Sequence, residues 1–562
     1  MTFRHHLQAG AALGVLAAIC LVSSASAEDA KAPAKHHAKK HVAAAPAATA
    51  AEVTALREEL KALQSRLDAQ DAALASAKQE AAASIAAVSA QSAQSAAKTR
   101  VIETEVAALP TEVKKEIAAA APKTDKLYYK GVSITLGGFL AAEGAYRQRG
   151  ENTDIASSFG SLPLGNAVGH SVAEFRGSAR QSRVSALVQG DVSSTTHASF
   201  FSELDFLGAA QTANSKESNS FNPRIRQVFG EITWDDLGLD LVAGQAWSLA
   251  TLNNNGIHAR GEQLPPQIDA QYIPGFVWAR QPEIRVTKSY MDKTLWVAVS
   301  AEQSQSFYTG TQPATLFTST GTALSSSAAG NTGSGFNSIN SVSFNHLPDL
   351  IGKVAYDTKF ADRPIHLEAF AMARDFYSVT STGSTRDKWA GSWGFGVIAP
   401  IVPKMLDWQL TGLTGRGVGR YGSSTMNDAT FDPNGNVKPI YETALLSGVT
   451  LHANPKLDLY LFGGEEAQDS QAYKVGSTFY GFGDTNPNNS GCGTIGGTCG
   501  GKVKRVDQLT VGFWNKFYQG SYGRLQWGIQ YSYTENTLFP GALGTGSTND
   551  SMLFTSLRYY PF

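Results

Sequence analysis

The sequence predicts an all-β transmembrane barrel of about 16 antiparallel strands, preceded by a signal peptide and an α-helical coiled coil. Three observations predict this class. Between Leu127 and the terminal Phe562, segments of about ten residues alternate between apolar and polar side chains, as strands between lipid and a polar lumen do. The connections between these segments are alternately short and long, and the chain begins with a secretory signal. Together they predict a protein of the Gram-negative outer membrane.

Residues 1–27 have the parts of a cleaved export signal. Arg4 precedes an apolar run from Ala11 to Val22, and Ala25-Ser26-Ala27 provides a cleavage site. Residues 28–50 are rich in Ala, Pro and Lys and cannot bury a core, so we predict a disordered basic linker. Its histidines fit a solvated tether better than a metal site.

Residues 51–122 carry a heptad pattern. Apolar residues recur at alternating steps of three and four, at Leu56, Leu60, Leu63 and Leu67. Such a stripe is typical of a coiled coil, and self-association would cover it. We therefore predict a trimerising coiled coil in the periplasm. A frayed, Ala-rich spacer helix is the alternative, and binding of this segment to peptidoglycan is left open.

Residues 127–562 form the predicted outer-membrane barrel. We predict strands over residues 131–147, 172–190, 196–208, 222–235, 238–249, 280–290, 294–303, 350–358, 364–377, 389–402, 406–421, 441–453, 456–467, 506–518, 522–536 and 551–562. Connections after even-numbered strands are short, which places both termini of the chain in the periplasm. The terminal aromatic residue, Phe562, is the expected contact for the barrel-assembly machinery. A count of 18 strands is the alternative.

Composition limits the function. The formal net charge of −1 argues against a nucleic-acid partner. The sequence has no Gly-x-Ser-x-Gly elbow and no His-Glu-x-x-His motif, so we predict neither an enzyme nor a bound metal or other cofactor. After removal of Cys20 with the signal, Cys492 and Cys499 remain in one Gly-rich loop, and an exported compartment permits a disulfide between them.

Arginines concentrate in the predicted strands. A charge on the lipid face costs about 2–4 kcal/mol at the membrane midplane, so arginines at that depth should face the lumen. Strand parity supports this for Arg285 beside Ile284, whereas Arg226 needs a bulge to face inward. A ladder of arginines would favour anions; the alternative is that they only pair with lumen acids such as Glu203, Glu231, Glu283 and Glu368. The pore-lining candidates are Arg176, Arg180, Arg183, Arg224, Arg226, Arg280, Arg285, Arg374, Arg416, Arg420 and Arg524.

The connection from Ala250 to Ala279 is long, stiffened by proline and mixed in charge. Such a loop either folds into the lumen and narrows it, or lies on the surface. If it folds inward, its constriction candidates are His258, Arg260, Glu262 and Asp269.

Several short motifs, in order along the chain, resemble the DcaP-like family of trimeric outer-membrane porins. They are Gly137-Gly138-Phe139, Ala179-Arg180-Gln181-Ser182-Arg183, Arg224-Ile225-Arg226-Gln227-Val228-Phe229, Ala243-Gly244-Gln245-Ala246-Trp247, Arg280-Gln281-Pro282-Glu283-Ile284-Arg285 and Gly417-Val418-Gly419-Arg420-Tyr421. The chain departs from the family at Val228, where Ala is expected, and in the loops around Ser304–Pro348 and Cys492–Cys499.

The resemblance implies a homotrimer in outer-membrane lipid, with passive uptake of small, preferentially anionic solutes such as dicarboxylates. Two other functions remain open on the residues alone. One is a sugar-selective pore that uses lumen aromatics such as Trp393 and Trp514. The other is a structural anchor, in which the coiled coil grips the cell wall and the barrel is plugged.

Overall fold

The computed structural model describes residues 126–562 except 209–220, 271, 312–342, 344, 380–382 and 485. Before residue 126 it describes separate positions between 58 and 97, which are helical and exposed. The predicted signal peptide and linker lie outside the described residues, as does most of the predicted coiled coil. The chain divides into two compact units, Met1–Ala121 and Pro122–Phe562. No helix among the described residues has the length and apolar character needed to cross a membrane.

Sixteen antiparallel strands form a closed barrel, as predicted. The first strand pairs with the last, with Arg147 opposite Met552 and Leu140 opposite Tyr559. Closure leaves no unpaired edge, which lipid would not tolerate. The strands are β1 (Val132–Arg147), β2 (Glu174–Ser178 and Arg183–Asp191), β3 (Thr196–Asp205), β4 (Arg224–Trp234), β5 (Leu239–Trp247), β6 (Arg280–Tyr290), β7 (Leu295–Glu302), β8 (Asp349–Phe360), β9 (Arg363–Val379), β10 (Thr385–Val402), β11 (Leu406–Arg416), β12 (Tyr441–Asn454), β13 (Leu457–Gln468), β14 (Val503–Gly520), β15 (Gly523–Leu538) and β16 (Ser547–Tyr560).

The connections divide the barrel into two unlike ends. Those after β2, β4, β6, β8, β10, β12 and β14 have two to four residues, and we call this end the short-turn rim. The other end, the long-loop rim, carries the remaining connections. Two of these contain hairpins of their own, Ala429–Phe431 with Val437–Pro439 and Gln471–Val475 with Thr478–Phe482.

Side chains alternate along the strands between an apolar outer face and a polar inner face. In β6, Ile284 and Val286 are exposed while Arg285 between them is buried. In β16, Leu553 and Leu557 face outward, and Arg558 faces the lumen. In the last strand the even-numbered Arg558 therefore points inward, next to Leu557, which faces lipid.

Strand β2, predicted to run without a break over residues 172–190, is interrupted between Ser178 and Arg183, and β4 and β11 also depart from the predicted ribbons. The register of β4 against β3 shifts between Glu203 and Leu204, so no residue of β3 lies directly opposite Arg226 in the sheet. Arg226 therefore forms a bulge, and its side chain turns inward. This is the irregularity that Arg226 required. The eleventh strand was predicted to run to residue 421, but it ends at Arg416; Gly417 has φ +72°, and Gly419–Tyr421 is a 3-10 turn.

A disulfide joins Cys492 to Cys499 in the connection between β13 and β14, with the Cα atoms 4.5 Å apart. The bond closes a small Gly-rich loop at the long-loop rim. Because it joins residues only seven apart in sequence, it orders the loop and contributes little to the sheet.

Candidate pore and its arginine cluster

The connection between β5 and β6, residues 248–279, folds into the barrel, and we call it the lumen loop. Its apolar side chains are buried among inward-facing side chains of the wall. The most deeply buried of them are Leu249, Ile257, Ile268, Ile273 and Phe276. Of the two alternatives for this segment, the structure shows the loop that folds inward.

Polar side chains of the wall satisfy the backbone of the lumen loop. The Asn253 N–H donates to Glu368 Oε2 of β9 at 3.1 Å. The Gly275 N–H donates to Glu466 Oε1 of β13 at 2.7 Å. Because an unpaired buried amide is costly, these contacts fix the path of the loop. Bonds of the same kind join Leu249 to Glu302 and Ile268 to Gln530.

Five arginines gather on the lumen side of the wall, and we call them the arginine cluster: Arg183, Arg224, Arg226, Arg280 and Arg558. Three carboxylates lie among them: Glu143, Glu203 and Asp205. Arg183 is within electrostatic reach of three other members. Five positive charges against three negative ones leave an excess of two positive charges in this part of the barrel.

Arg226 is the most constrained member of the cluster. Its Nε donates to Glu203 Oε1 at 2.6 Å and its Nη1 to Asp205 Oδ2 at 2.9 Å. Only 1% of the residue is exposed. Arg224 binds the same Asp205 through two nitrogens, and its side chain is 31% exposed. Arg226 therefore braces the wall, whereas Arg224 remains accessible.

Aromatic rings contact two other arginines of the cluster, Arg280 and Arg558. Arg280 lies 4.7 Å from the Trp247 ring and donates to the Tyr272 hydroxyl at 3.0 Å. The Arg558 guanidinium lies 4.6 Å from the Trp514 ring. Such contacts hold a guanidinium without cancelling its charge. The Nη1 of Arg280 is buried and has no hydrogen-bond partner among the described residues.

A second charged region lies on the wall from β6 to β13, and there acids are in excess. Arg374 contacts Asp349 and Asp428 at 3.1 and 2.8 Å. Lys353 donates to Glu368 at 2.8 Å. The acids of this region are Glu283, Glu302, Asp349, Glu368, Asp428, Glu442 and Glu466; its basic residues are Arg285, Lys353, Arg374 and Arg420. Positive and negative excesses thus occupy different parts of the inner wall.

The other predicted arginines lie in different surroundings. Arg176 is at the long-loop rim, where it contacts Glu174. Arg180 lies in the interruption of β2 and contacts Asp154 at 3.2 Å. Arg524 has inward parity on β15, and its guanidinium lies 4.1 Å from the Tyr560 ring. Arg420 lies on the 3-10 turn and donates to Gln281 Oε1 at 2.7 Å.

Two of the sequence interpretations are wrong. Arg416 is opposite Tyr441 on the outward face and is exposed at the long-loop rim, so it does not line the pore. Trp393, offered as a lumen aromatic, is 57% exposed on the lipid face of β10. Trp514 is buried inside, where its Nε1 donates to the Pro266 carbonyl at 2.8 Å. The predictions for Arg416 and Trp393 were wrong because they did not take strand parity into account.

The lumen loop carries two carboxyl groups whose burial changes their acidity. Burial raises the pKa of Glu262 and that of Asp269 to about 7. Asp269 accepts from the Ser157 N–H at 2.8 Å. Arg260 is exposed, with φ +68°, and His258 packs edge-on against Trp296 at 4.4 Å. Near neutral pH the loop can therefore change its charge.

Three residues of the lumen were missed at the sequence level. Arg558 contacts Glu143 at 2.8 Å. It follows the lipid-facing Leu557 in β16, so strand alternation alone indicates that it faces the lumen. Lys353 is buried, and its neighbours in sequence, Gly352 and Val354, pair with residues of β7 that face lipid. Strand parity therefore identifies Lys353 as a lumen residue too. Tyr272 joins the arginine cluster from a loop, where no periodic pattern identifies it.

Cavities open at the short-turn rim. One of about 420 Å³ is bordered by Asp191, His197, Glu231, Arg260, Lys293 and Trp296. Another of about 940 Å³ is bordered by Asn254, Lys293, Asp357, His366, Lys404 and Asp407. At the long-loop side, a third of about 300 Å³ lies beside Ser161, Thr309, Asn427 and Lys502. Polar space thus reaches the lumen loop from the short-turn rim.

The architecture and polar interior define the class: a transmembrane β-barrel with the fold of an outer-membrane channel. The outer membrane channel DcaP of Acinetobacter baumannii matches with a TM-score of 0.54 and 17% sequence identity, over 77% of this chain and 99% of that one. The resemblance to DcaP-like channels is thereby confirmed as a likeness of fold.

Two further solved structures are more distant. An anion-selective porin from Comamonas acidovorans matches with a TM-score of 0.40 and 11% identity, over 76% of this chain and 99% of that one. OmpF of Salmonella typhi matches with a TM-score of 0.41 and 9% identity, over 77% and 99%. No protein-family model matches the sequence, and a comparison with curated proteins finds no significant match.

Proposed function

We propose that the protein is a porin of the outer membrane, not an enzyme, through which small hydrophilic solutes diffuse passively. We further propose a preference for anions such as dicarboxylates. The arginine cluster is the observation that carries the proposal, because it places an excess of two positive charges inside a barrel whose outer wall is apolar. The likeness of fold to the DcaP channel supports the channel class.

The mechanism needs no chemical step. An anion that enters the lumen loses part of its hydration, and partly exposed guanidinium groups of Arg183, Arg224 and Arg280 compensate for that loss. Arginine suits this role because its charge persists at any physiological pH and its planar fork binds carboxylates in bidentate fashion. The neighbouring acidic region keeps binding weak enough for release. Flux then follows the concentration gradient.

The assembly we propose is a homotrimer in outer-membrane lipid. The short-turn rim faces the periplasm, where residues 51–122 form the trimeric coiled coil. Phe562 is the proposed contact for the barrel-assembly machinery, and contact of the coiled coil with peptidoglycan is a secondary proposal. A mass measurement in mild detergent tests the oligomer, since a monomeric full-length protein would contradict it.

A plugged structural anchor is the second candidate, and two observations favour it. The lumen loop crosses the barrel interior, and three predicted pore arginines, Arg226, Arg285 and Arg374, are almost fully buried. The sugar-pore alternative loses support, because Trp393 faces lipid.

Single-channel recording in planar bilayers distinguishes a porin from a plug. We expect stepwise conductance from the purified protein. Arg224→Cys, modified with a negatively charged methanethiosulfonate reagent, should lower the conductance, because its side chain borders the proposed path. Arg416→Cys, on the outer face of the barrel, is the matched control and should be unaffected. Absence of steps from a folded protein would favour the anchor.

A further inference from the structure

Four histidines in the described part of the barrel each lie beside two carboxylates. Three of them use their two ring nitrogens separately. In His452, Nδ1 lies 2.8 Å from Asp458 and Nε2 lies 3.2 Å from Asp407. His197 and His366 have the same arrangement. A ring between two carboxylates links neighbouring strands, and its acids are too far apart for a shared ion.

His346 is arranged differently. It lies at the end of the connection between β7 and β8, close to the long-loop ends of β9 and β10. A single nitrogen, Nδ1, faces both acids, at 3.1 Å from Asp375 Oδ2 and 3.9 Å from Asp387 Oδ1. All three atoms lie within 4.8 Å of one another. The three possible ligand atoms therefore surround one point.

A second observation points to a missing ligand. The Asp375 side chain is only 1% exposed, yet its Oδ1 has no hydrogen-bond partner within the described ranges. No Lys or Arg in that part of the chain forms a salt bridge with Asp375 or Asp387. The contact of His346 with Oδ2 leaves the other oxygen of this buried carboxylate without a partner, which is unfavourable, and a bound cation would supply the missing charge.

We propose that His346, Asp375 and Asp387 bind a divalent transition-metal ion of the Zn²⁺ class. Metal–ligand bonds of about 2.0–2.2 Å at tetrahedral angles separate ligand atoms by about 3.4 Å, close to the observed spacing. The imidazole selects transition metals over Ca²⁺ and Mg²⁺, which prefer oxygen ligands alone. Water completes the coordination. The ion would clamp the end of the loop before β8 to the β9–β10 hairpin.

Titration of full-length protein in detergent with Zn²⁺, followed by isothermal calorimetry, tests the site. Wild-type protein should bind one more ion per chain than His346→Ala or Asp387→Asn. Both side chains are about half exposed, at 54% and 50%, so the variants should fold. Ions bound by the histidines of the linker are common to all proteins and cancel in the difference. His452→Ala is the matched control and should retain the wild-type stoichiometry.

Two results would overturn the proposal. One is an equal Zn²⁺ stoichiometry in the wild type and both variants, with heat-dependent gel mobility showing that the barrels are folded. The other is displacement of the ion by an equal concentration of Ca²⁺, which would mean an unselective acidic surface. Loss of one ion in His452→Ala would also contradict the argument, because that ring has no convergent acids.

Discussion

Replacing Arg183 and Arg280 with glutamine is expected to abolish most of the anion preference. The two side chains belong to the arginine cluster, where five arginines face three carboxylates. The double replacement removes the calculated excess of two positive charges. Glutamine keeps hydrogen-bonding capacity, so Arg183 and Arg280 lose mainly their charge.

The magnitude follows from Coulomb's law. One charge about 8 Å from a passing anion contributes about 2 kcal/mol at an effective dielectric constant of about 20. At 0.1 M salt the Debye length of about 10 Å reduces this to about 1 kcal/mol, or about fivefold in anion occupancy. At 1 M salt the Debye length falls to about 3 Å and little of the effect should remain.

The assay is the reversal potential across a bilayer under a salt gradient, recorded in dilute and in concentrated salt. The reversal potential of the double variant should shift toward zero, most clearly in dilute salt. The flux of a dicarboxylate should fall more than the flux of a neutral sugar. Arg416→Gln removes one positive charge from the outer face and should leave the potential unchanged. If the folded double variant keeps the wild-type potential, the cluster only braces the wall.

Three further outcomes are expected. Arg226→Gln should destabilise the barrel by about 1–3 kcal/mol, because Glu203 and Asp205 each lose one of their two arginine partners; urea unfolding in vesicles should show partial recovery when Asp205→Asn is added. Anion preference should be greater at pH 6 than at pH 8, since the pKa of Asp269 is raised to about 7 and the group gains its negative charge above that pH; Asp269→Asn should weaken this dependence. Thiol labelling of unreduced mature protein should find neither Cys492 nor Cys499 free, and labelling of both would exclude the disulfide.

Much of the barrel was predictable because strand parity and connection length are local properties of the sequence. Ile284, Arg285 and Val286 show their faces by alternation alone, and the structure agrees. Parity would also have identified Arg558 and corrected Trp393. The strand count and the asymmetric rims followed from the same patterns.

What the sequence left uncertain depended on contacts between distant segments. The bulge at Arg226 is stabilised by Glu203 and Asp205 of the neighbouring strand. The inward path of the lumen loop depends on acceptors such as Glu466, 191 residues from its donor. The exposure of an arginine side chain is likewise set by packing. The sequence alone therefore could not distinguish the accessible arginines of the cluster, such as Arg224, from buried ones such as Arg226.

The lumen loop also constrains the order of folding. The four wall acceptors described for it lie later in the chain, the farthest being Gln530, 262 residues beyond Ile268. Contacts of such separation form slowly, because a long segment must be ordered first. The Ile268 N–H must therefore stay hydrated until β15 is in place. Docking of this part of the loop is a late step, which locks strands that have already paired.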